Sequence, residues 1–430
     1  MTASRTVLCW SGVMLLTALV AAIPARAQVG LADAMANDSD SEMRQKQYQN
    51  PDYTFKSGDF RVLLVPSLSV QWNDNINCTE TNQQQDVILL PALGTLISYP
   101  LTDRNLFQLN ITMGYSDYLL HPDLSSYYLQ SGSGLSFDLY IKNVLINLHD
   151  QFSYVQNAAD TPTVAGTGAY GTFQNTAGFS GKWSFEKLDF TLGYDHQTFL
   201  STAGEFSDTD FSTEDGYARA GYEMNSKLTA GLESTASYTY YNQDALNDST
   251  SYSIGVYGDW RPDSFLQVQP RVGYTIDEFS QNSQSVQNST LNSWYADLKV
   301  SDQITRSINC SLDAGHQINA GAQSDVNEDY YANAAVVWNI IRGLTFQTSL
   351  FFQNGNQGEG TTLVAPLNPN NNLVSNEIYN WYGGSLGLTH AITRRFDLSL
   401  NYQFTQRTSS LADRGYTQNL VGLLLTYHSL

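Results

Sequence analysis

The sequence predicts an all-β fold, namely a transmembrane up-and-down antiparallel β-barrel of about 18 strands, with 16–20 compatible. Three observations predict it. Runs of residues alternate between apolar and polar side chains, the connections between the runs are short and long in turn, and an export signal precedes them. A period of two is typical of strands, and alternating connection lengths are typical of bacterial outer-membrane barrels.

Residues 1–27 have the features of a cleaved signal peptide. Arg5 supplies a charged start, an apolar run covers residues 7–23, and Ala25-Arg26-Ala27 has the small-x-small form of a cleavage site. We therefore expect export and a mature chain that begins near Gln28, with an uncleaved membrane anchor as the alternative. No later stretch is apolar enough to predict a spanning helix.

Residues 28–59 are polar and contain few strand-forming residues. We expect them to form a mobile periplasmic N-terminal segment, with a short helix around residues 42–48 as the alternative. The barrel is then predicted to cover residues 60–430.

Short and long connections alternate from residue 60 onward. The short turns lie at 101–105, 141–143, 185–187, 225–227, 261–264, 304–306, 341–343 and 392–395. The long connections lie near 73–86, 119–126, 156–170, 201–212, 242–250, 280–289, 321–328, 355–377 and 406–415. Eight turns and nine loops connect eighteen strands and place both ends on the short-turn side. This arrangement predicts short periplasmic turns and long extracellular loops.

The positions of charged and aromatic residues also distinguish the short connections, the long connections and the strand ends. Every short turn carries Lys or Arg, whereas acidic residues collect in the long loops. Aromatic residues that we expect near strand ends, where outer-membrane barrels carry aromatic girdles, are Tyr99, Tyr115, Trp183, Tyr222, Trp260, Trp338 and Tyr402. Pro66, Pro91 and Pro270 lie within predicted strands and should mark local bulges or strand ends.

The direction of the apolar face decides between a membrane barrel and a soluble sandwich. In FDLSLNYQFT, residues 396–405, one face carries Phe, Leu and Tyr and the other carries Asp, Ser, Asn and Gln. Alternation alone fits either fold. The export signal, the sorted connections and the aromatic residues favour an apolar face that contacts lipid and a polar face that lines the lumen.

Charged residues on the polar faces are the candidate pore-lining residues: Lys182, Arg219, Glu223, Glu233, Arg271, Asp297, Lys299 and Asp313. Arg219 with Glu223, and Asp297 with Lys299, share an inward face and could form local pairs. The longest connection, 355–377, is the segment that we expect to fold inward or to cover the mouth, although an uninvolved surface loop fits nearly as well.

The last strand, QNLVGLLLTYHSL, should close the ring against residues 60–72. Its alternating apolar form is similar to the terminal signal that outer-membrane assembly machinery recognises, but it ends in Leu430 and not in an aromatic residue. Cys78 and Cys310 could pair, because exported chains often form disulfides. A free loop thiol and a small apolar filler fit these two positions better.

Several segments resemble the outer-membrane β-barrel porins of Gram-negative bacteria. They are PSLSVQWNDNI (66–76), DVILLPALG (86–94) and GYSDYLLHPDL (114–124). The Asp-Asn-Ile of residues 74–76 matches part of that family's usual Asp-Asp-Asn-Ile, with Asn73 in place of the first Asp. The resemblance implies a barrel with porin-like function and brings no catalytic residues.

The residues favour transport over catalysis. His149-Asp150 and Asp195-His196 place His beside an acid, but neighbours on a strand point to opposite faces. We predict no catalytic residues, no metal site and no cofactor, and a formal net charge of −20 makes nucleic acid a poor partner. The predicted function is passive diffusion of small hydrophilic solutes across the outer membrane, whose lipid the barrel contacts. The alternatives are a structural barrel with an occluded lumen and a polysaccharide export conduit.

Overall fold

The computed structural model describes residues 38–49, 52–168, 170–281, 285–286, 290–320, 324–358, 362–363 and 377–429. The predicted signal peptide lies outside these ranges and stays a prediction. The elements are α1 Asp38–Gln49, β1 Phe55–Ser57, β2 Phe60–Asn73, β3 Asp86–Pro100, β4 Leu106–Tyr118, β5 Ser126–Ile141, β6 Val144–Gln156, β7 Gly171–Phe185, β8 Leu188–Ser201, β9 Phe211–Asn225, β10 Leu228–Tyr241, β11 Ser249–Trp260, β12 Leu266–Phe279, β13 Ser285–Val286, β14 Thr290–Thr305, β15 Ile308–Ala320, β16 Val326–Ile341, β17 Leu344–Gln357, β18 Thr362–Leu363, β19 Glu377–Ala391, β20 Phe396–Ser409 and β21 Tyr416–Tyr427.

One antiparallel sheet closes on itself and confirms the predicted barrel. Each long strand pairs with the next along the chain, and β21 pairs with β2 through residues 420–426 and 67–73. The sheet has 19 strands, of which β1 is an addition to the edge of β2. The other eighteen form the ring, as the count of turns and loops predicted. In the described residues β13 and β18 form a separate two-stranded pair.

The eight short connections are confirmed as tight turns between barrel strands. Lys142 and Gly343 adopt positive φ angles of 57° and 79° in two of them, which lets the chain reverse within two residues. The cationic side chains of the turns therefore lie together at one end of the barrel, which is the periplasmic end.

The three prolines lie where pairing is interrupted on one side of their strands. The β2–β21 ladder ends at Ser67, next to Pro66. Pairing of β3 with β4 skips Pro91, and pairing of β11 with β12 skips Pro270, while the register on either side continues unchanged. Because proline has no N–H to donate, these gaps follow directly from the sequence.

The N-terminal segment differs from the expected mobile lead. Asp38–Gln49 forms α1, and the guanidinium of Arg44 donates two hydrogen bonds to the Asp138 carboxylate on β5, at 2.6 and 2.8 Å. The Tyr140 hydroxyl donates to Ser41, and Gln45 donates to the Arg104 carbonyl oxygen. The helix that was the alternative expectation is therefore present and is attached to the inner wall near the periplasmic turns.

The outer surface is apolar over the height of the barrel. Leu192, Leu232, Ile254 and Leu350 are between 59% and 65% exposed, and they all lie on the face opposite to the polar residues. Trp183, Tyr222, Trp260 and Trp338 are exposed beside the periplasmic turns, as predicted, whereas Tyr402 lies in the middle of β20 and not at its end. No helix in the described part of the chain has the length and apolar character that crossing a membrane requires. A closed barrel with this lipid-facing belt crosses the outer membrane with its strands.

Candidate functional site

The inner face of the barrel contains all eight predicted lumen residues. Strand register places Lys182 on β7, Arg219 and Glu223 on β9, Glu233 on β10, Arg271 on β12, Asp297 and Lys299 on β14, and Asp313 on β15, all on the face opposite to the apolar belt. These residues are the candidates for contact with solutes in the lumen.

Four of these residues form one ionic network, which we call the charged wall: Arg219, Glu233, Arg271 and Asp297. The Glu233 carboxylate lies between two guanidinium groups, at 2.8 Å from Arg219 and 3.0 Å from Arg271. Arg271 lies opposite Asp297 in the ladder. The glutamate is 2% exposed, while the two arginine side chains keep 20% and 16% of their surface exposed. The network is therefore covered at its acidic centre and open to the lumen at its cationic groups.

Tyrosines lie flat along the same wall. A Cβ atom on Gly255 would come within 2.1 Å of the Tyr295 hydroxyl, and one on Gly315 within 2.8 Å of the Tyr331 hydroxyl. The absence of side chains on these glycines lets the rings lie against the neighbouring strands instead of projecting across the lumen. The hydroxyls of Tyr295 and Tyr331 donate to Glu233 and Asp297, at 2.9 and 2.7 Å. Because the tyrosine rings lie against glycines of neighbouring strands, they do not project into the lumen, and their hydroxyls hold the carboxylates of the wall in place.

The predicted pairing within single strands is wrong for Arg219. Its guanidinium donates across strands to Glu233, and Glu223 lies exposed near the periplasmic turn. Residues four apart on one strand, such as Arg219 and Glu223, are about 13 Å apart along it, whereas direct cross-strand neighbours are about 5 Å apart. Lys182 likewise has a partner on the next strand, because its ammonium lies 3.5 Å from the Asp189 carboxylate.

The extracellular end of the lumen contains an apolar cluster, which we call the loop core. It joins buried side chains of β8, β9 and β10 to those of β17, β19 and β21, almost half the ring away. Loop residues lie between these walls. The cluster consists of Cys78, Ala158, Ala159, Val164, Tyr170, Phe199, Phe206, Phe211, Tyr241, Ala245, Leu246, Phe351, Tyr379, Trp381 and Tyr416. Extracellular loops therefore fold into the barrel and pack there as a protein interior does.

A buried ion cluster holds one of these loops. Glu377 and Arg407 are both fully buried, and the guanidinium of Arg407 lies 2.7 Å from the Glu377 carboxylate. Arg407 also donates to the carbonyl oxygen of Pro162, at 2.7 Å, and Arg414 donates to that of Thr163, at 2.6 Å. The two arginines connect β20 and its following loop to the backbone of the 157–170 loop. Bidentate and multiple donation of this kind is the particular ability of guanidinium.

Burial in the loop core changes the chemistry of two loop groups. Desolvation raises the pKa of the Cys78 thiol to about 12, with the nearby Asp160 adding to the effect. Desolvation also raises the pKa of the Asp160 carboxyl to about 6, against a hydrogen bond from Asn157 that lowers it. A thiol with so high a pKa is unreactive at neutral pH. Both cysteines are free, and Cys310 lies on the outer face of β15, so the two do not pair.

The loop that we expected to fold inward, 355–377, lies mostly outside the described residues. The 157–170 loop, which sequence reasoning did not single out, enters the lumen. Its buried Ala158, Ala159 and Val164 were the available signal, because small apolar residues in a polar loop indicate packing against something. A second connection joins the loops that follow β10 and β15: the backbone amide of Asn247 donates to the Asp325 carboxylate at 2.6 Å, and both side chains are buried.

Ten further carboxylates face inward that were not among the eight predicted pore-lining residues. They are Asp86, Asp138, Asp189, Asp195, Asp215, Asp259, Asp277, Asp329, Glu377 and Asp397. Each has the same parity along its strand as the predicted lumen residues or their ladder partners. The periodic pattern could therefore have identified them once the strand bounds were known.

The Asn73-Asp74-Asn75-Ile76 motif closes the seam of the barrel at its extracellular end. The Asp74 carboxylate accepts hydrogen bonds from the backbone and side-chain amides of Asn419 on β21, at 2.7 and 2.6 Å. The side chain of Asn75, which is fully buried, donates to the carbonyl oxygen of Thr417. The motif on which the porin resemblance rests thus has a structural role where the first and last strands meet.

His149 contacts an acid two strands away in the ring. As expected, His149 and Asp150 point to opposite faces; His149 Nε2 instead lies 2.8 Å from the Asp195 carboxylate on β8. Its other ring nitrogen lies 2.9 Å from the Asn147 amide oxygen. Among the described residues there is no group of three or more His, Cys, Asp or Glu side chains that could hold a metal ion.

Comparison with known proteins gives likenesses at the level of architecture. No protein-family model and no curated protein matches the chain. Among solved structures, the chain is similar to OccK2 (OpdF) of Pseudomonas aeruginosa in complex with glucuronate, at 10% identity and a TM-score of 0.48, covering 86% of this chain and 99% of that one. It is also similar to OccAB3 of Acinetobacter baumannii, at 10% identity and a TM-score of 0.45, covering 85% and 98%. The outer-membrane protein OpdK of P. aeruginosa is similar at 11% identity and a TM-score of 0.44, with the same coverage. Likenesses this distant carry nothing about solute or mechanism.

Proposed function

We propose that the protein is a porin-like channel through which small hydrophilic solutes cross the outer membrane by diffusion. The supporting observation is the contrast between the two faces of one closed sheet. The outer face is an apolar belt, and the inner face carries the charged wall, whose arginines keep part of their surface exposed. A ring of eighteen strands is too wide for side chains alone to fill, so its interior holds water wherever loops do not occupy it.

The loop core and α1 set the width of the proposed path. The loop core joins opposite walls at the extracellular end, and α1 is attached to β5 near the periplasmic end. Passage is therefore confined to the side of the lumen that the charged wall lines. We expect a narrow channel that admits small solutes and excludes large ones.

Reconstitution of the mature protein tests this proposal. We expect discrete conductance steps in a planar bilayer. We also expect liposomes that contain the protein to swell in small neutral sugars, at rates that fall steeply with solute size. A control variant, Trp260→Phe, changes an outward-facing residue and should leave both measurements unchanged. A folded, inserted barrel that gives neither conductance nor swelling contradicts the proposal.

The loop core favours one alternative, a structural barrel with an occluded lumen. Fifteen buried residues from strands and loops pack together across the extracellular end. If this packing closes the path completely, the protein in a bilayer stays silent, and deletion of residues 158–165 opens it. Conductance of the intact protein excludes this alternative.

We further propose that the outer-membrane assembly machinery recognises the C-terminal strand. The outward-facing Val421, Leu423 and Leu425 on β21 are 39–46% exposed and form the alternating apolar pattern of such a signal. The Leu430→Phe variant should fold into the outer membrane at least as efficiently as the natural chain, whereas Leu423→Asp with Leu425→Asp should lower the amount of assembled barrel. Equal assembly of all three chains contradicts this role.

A further inference from the structure

The inner wall of the barrel is strongly acidic. Fourteen carboxylates face inward from the described barrel strands, namely the ten named above with Glu223, Glu233, Asp297 and Asp313. Six cationic side chains face inward from the same strands: Arg61, Lys182, Arg219, Arg271, Lys299 and Arg407. The eight residues predicted from the sequence were evenly divided between the two signs, so this excess appears only when every strand is placed in register.

Most of the inward cations lie against carboxylates. Arg219 and Arg271 share Glu233, Lys182 lies 3.5 Å from Asp189, and Arg407 lies 2.7 Å from Glu377. Their positive charge is therefore offset locally. The field that a solute meets farther into the lumen is then determined by the carboxylates in excess.

Two of the excess carboxylates face each other directly. Asp195 on β8 and Asp215 on β9 are ladder partners, and both point inward. Like charges in this arrangement destabilise a sheet unless a cation or a proton lies nearby. Asp195 is fully buried, and its Oδ2 has no hydrogen-bond partner, although its Oδ1 contacts His149. Asp277 is 7% exposed and also has an Oδ2 atom without a partner.

We propose that the lumen selects cationic solutes, meaning inorganic cations and small amines, over anions, and that Asp195 with Asp215 are determinants of this selectivity. This inference rests on the proposed channel function. A wall with excess negative charge in a narrow, partly low-dielectric passage concentrates cations and repels anions along the path. A proton shared by the two facing carboxylates leaves the pair with one negative charge. Because both side chains are covered, this charge acts through its field and not by direct contact with the solute.

The test is the reversal potential of the purified mature protein in a planar bilayer under a KCl gradient. We expect the permeability of K⁺ to exceed that of Cl⁻ about threefold or more. The Asp195→Asn/Asp215→Asn variant should lower this ratio about twofold or more. The matched control, Asp117→Asn/Glu278→Gln, removes two acids from the outer face of the same barrel and should keep the natural ratio.

The outcomes separate this inference from the proposed function. Conductance with a K⁺/Cl⁻ ratio at or below one overturns the inference and leaves the channel function standing. An equal change of the ratio in the control variant also overturns it, because bulk charge and not the wall would then be responsible. Absence of conductance in the folded natural protein overturns both. If the Asp195/Asp215 variant does not fold, Asp277→Asn/Asp313→Asn replaces it, with the same loss of selectivity expected.

Discussion

The loop core and the charged wall lie on the inner face of the same sheet, but they differ in their exposure to water. Arg407, which lies beside the loop core, is fully buried and donates to a carboxylate and to backbone carbonyl groups. Arg219 in the charged wall also binds a carboxylate, but 20% of its side chain stays exposed. The comparison shows that a residue on the inner face of a barrel can be either solvated or buried. Where loops fill the lumen they bury the residues of the wall, and where the lumen stays open those residues remain solvated.

This difference has an energetic consequence. Ion pairs that lose all contact with water depend entirely on their partners, so removal of one partner leaves a charge that nothing compensates. In ion pairs that keep contact with water, water solvates the charge that has lost its partner. The same truncation therefore costs much less stability. Substitutions in the buried cluster should therefore have larger effects than substitutions in the charged wall.

Truncation of the buried arginine is expected to have the largest effect. In Arg407→Ala the buried Glu377 loses one of its two guanidinium partners and keeps Arg414 at 3.0 Å. The carbonyl groups of Pro162 and Arg414 each lose a donor, and the fully buried side chain leaves a cavity. We expect the loop core to lose about 3–5 kcal/mol of stability. The Cys78 thiol should therefore react with a maleimide about 100-fold faster or more, since each 1.36 kcal/mol changes an equilibrium tenfold. The measurement uses the Cys310→Ser background.

Arg261→Ala is the matched control for that experiment. Arg261 also pairs with a carboxylate, Asp259, but its side chain is 53% exposed at a periplasmic turn. We expect Cys78 to stay as slowly reactive as in the natural chain. Equal labelling of the Arg407→Ala and natural chains would contradict the idea that this arginine holds the loops.

A methyl group added at Gly355 tests the packing of the loop core. Its Cβ would lie 2.1 Å from Cζ of Tyr379, which is fully buried and donates to Asp329. The ring must move, so Gly355→Ala should cost about 1–3 kcal/mol in urea unfolding of the detergent-solubilised barrel. Gly216→Ala is the control, because its nearest atom, the Ala236 carbonyl oxygen, lies at 3.7 Å. Similar losses in both variants would mean that the backbone, and not the ring, is responsible.

The pH dependence of the loop core should follow Asp160. Its pKa is about 6 because burial disfavours the carboxylate, whereas an unfolded Asp titrates near about 3.9. The folded state then binds the proton more tightly. Its stabilisation is complete below about pH 4 and is lost as the pH rises through about 6. We expect the 157–170 loop to exchange amide hydrogens faster at pH 7 than at pH 5, after correction for intrinsic exchange.

Asp160→Asn provides the comparison, since it removes the titrating group. The variant should protect the 157–170 loop by about 1–2 kcal/mol more than the natural chain at pH 7, and equally at pH 4.5. Protection of the natural chain that increases between pH 5 and pH 7 would have the wrong sign for a buried carboxyl.

The smallest effect is expected for an arginine of the charged wall. In Arg219→Ala, Glu233 keeps Arg271 at 3.0 Å and the Tyr295 hydroxyl at 2.9 Å. We expect about 1 kcal/mol or less in urea unfolding, and no change in Cys78 labelling. If Arg219→Ala exposed Cys78 as strongly as Arg407→Ala does, the two regions would be coupled and the comparison would fail.

Local features of the sequence were sufficient to predict the barrel. The period of two placed each side chain on one face, and the turns and loops set the number of strands at eighteen. The export signal, the sorted connections and the aromatic residues identified the apolar face as the lipid side. These features are local, because parity along a strand needs no knowledge of distant residues. The same locality explains the wrong Arg219–Glu223 pairing, since the nearest charge on the inner face belonged to the next strand.

What occupies the lumen depends on long-range packing that the sequence pattern does not show. Arg219 and Arg407 have the same inward parity in alternating strands, and nothing in their neighbouring residues distinguishes them. Their difference comes from the 157–170 loop, which reaches Arg407 across more than two hundred residues of sequence. Loops have no periodicity, and their position results from packing against distant strands, so a pattern read along the chain could not locate them. The excess of inward carboxylates became visible for the same reason, once all strands had been placed around one ring.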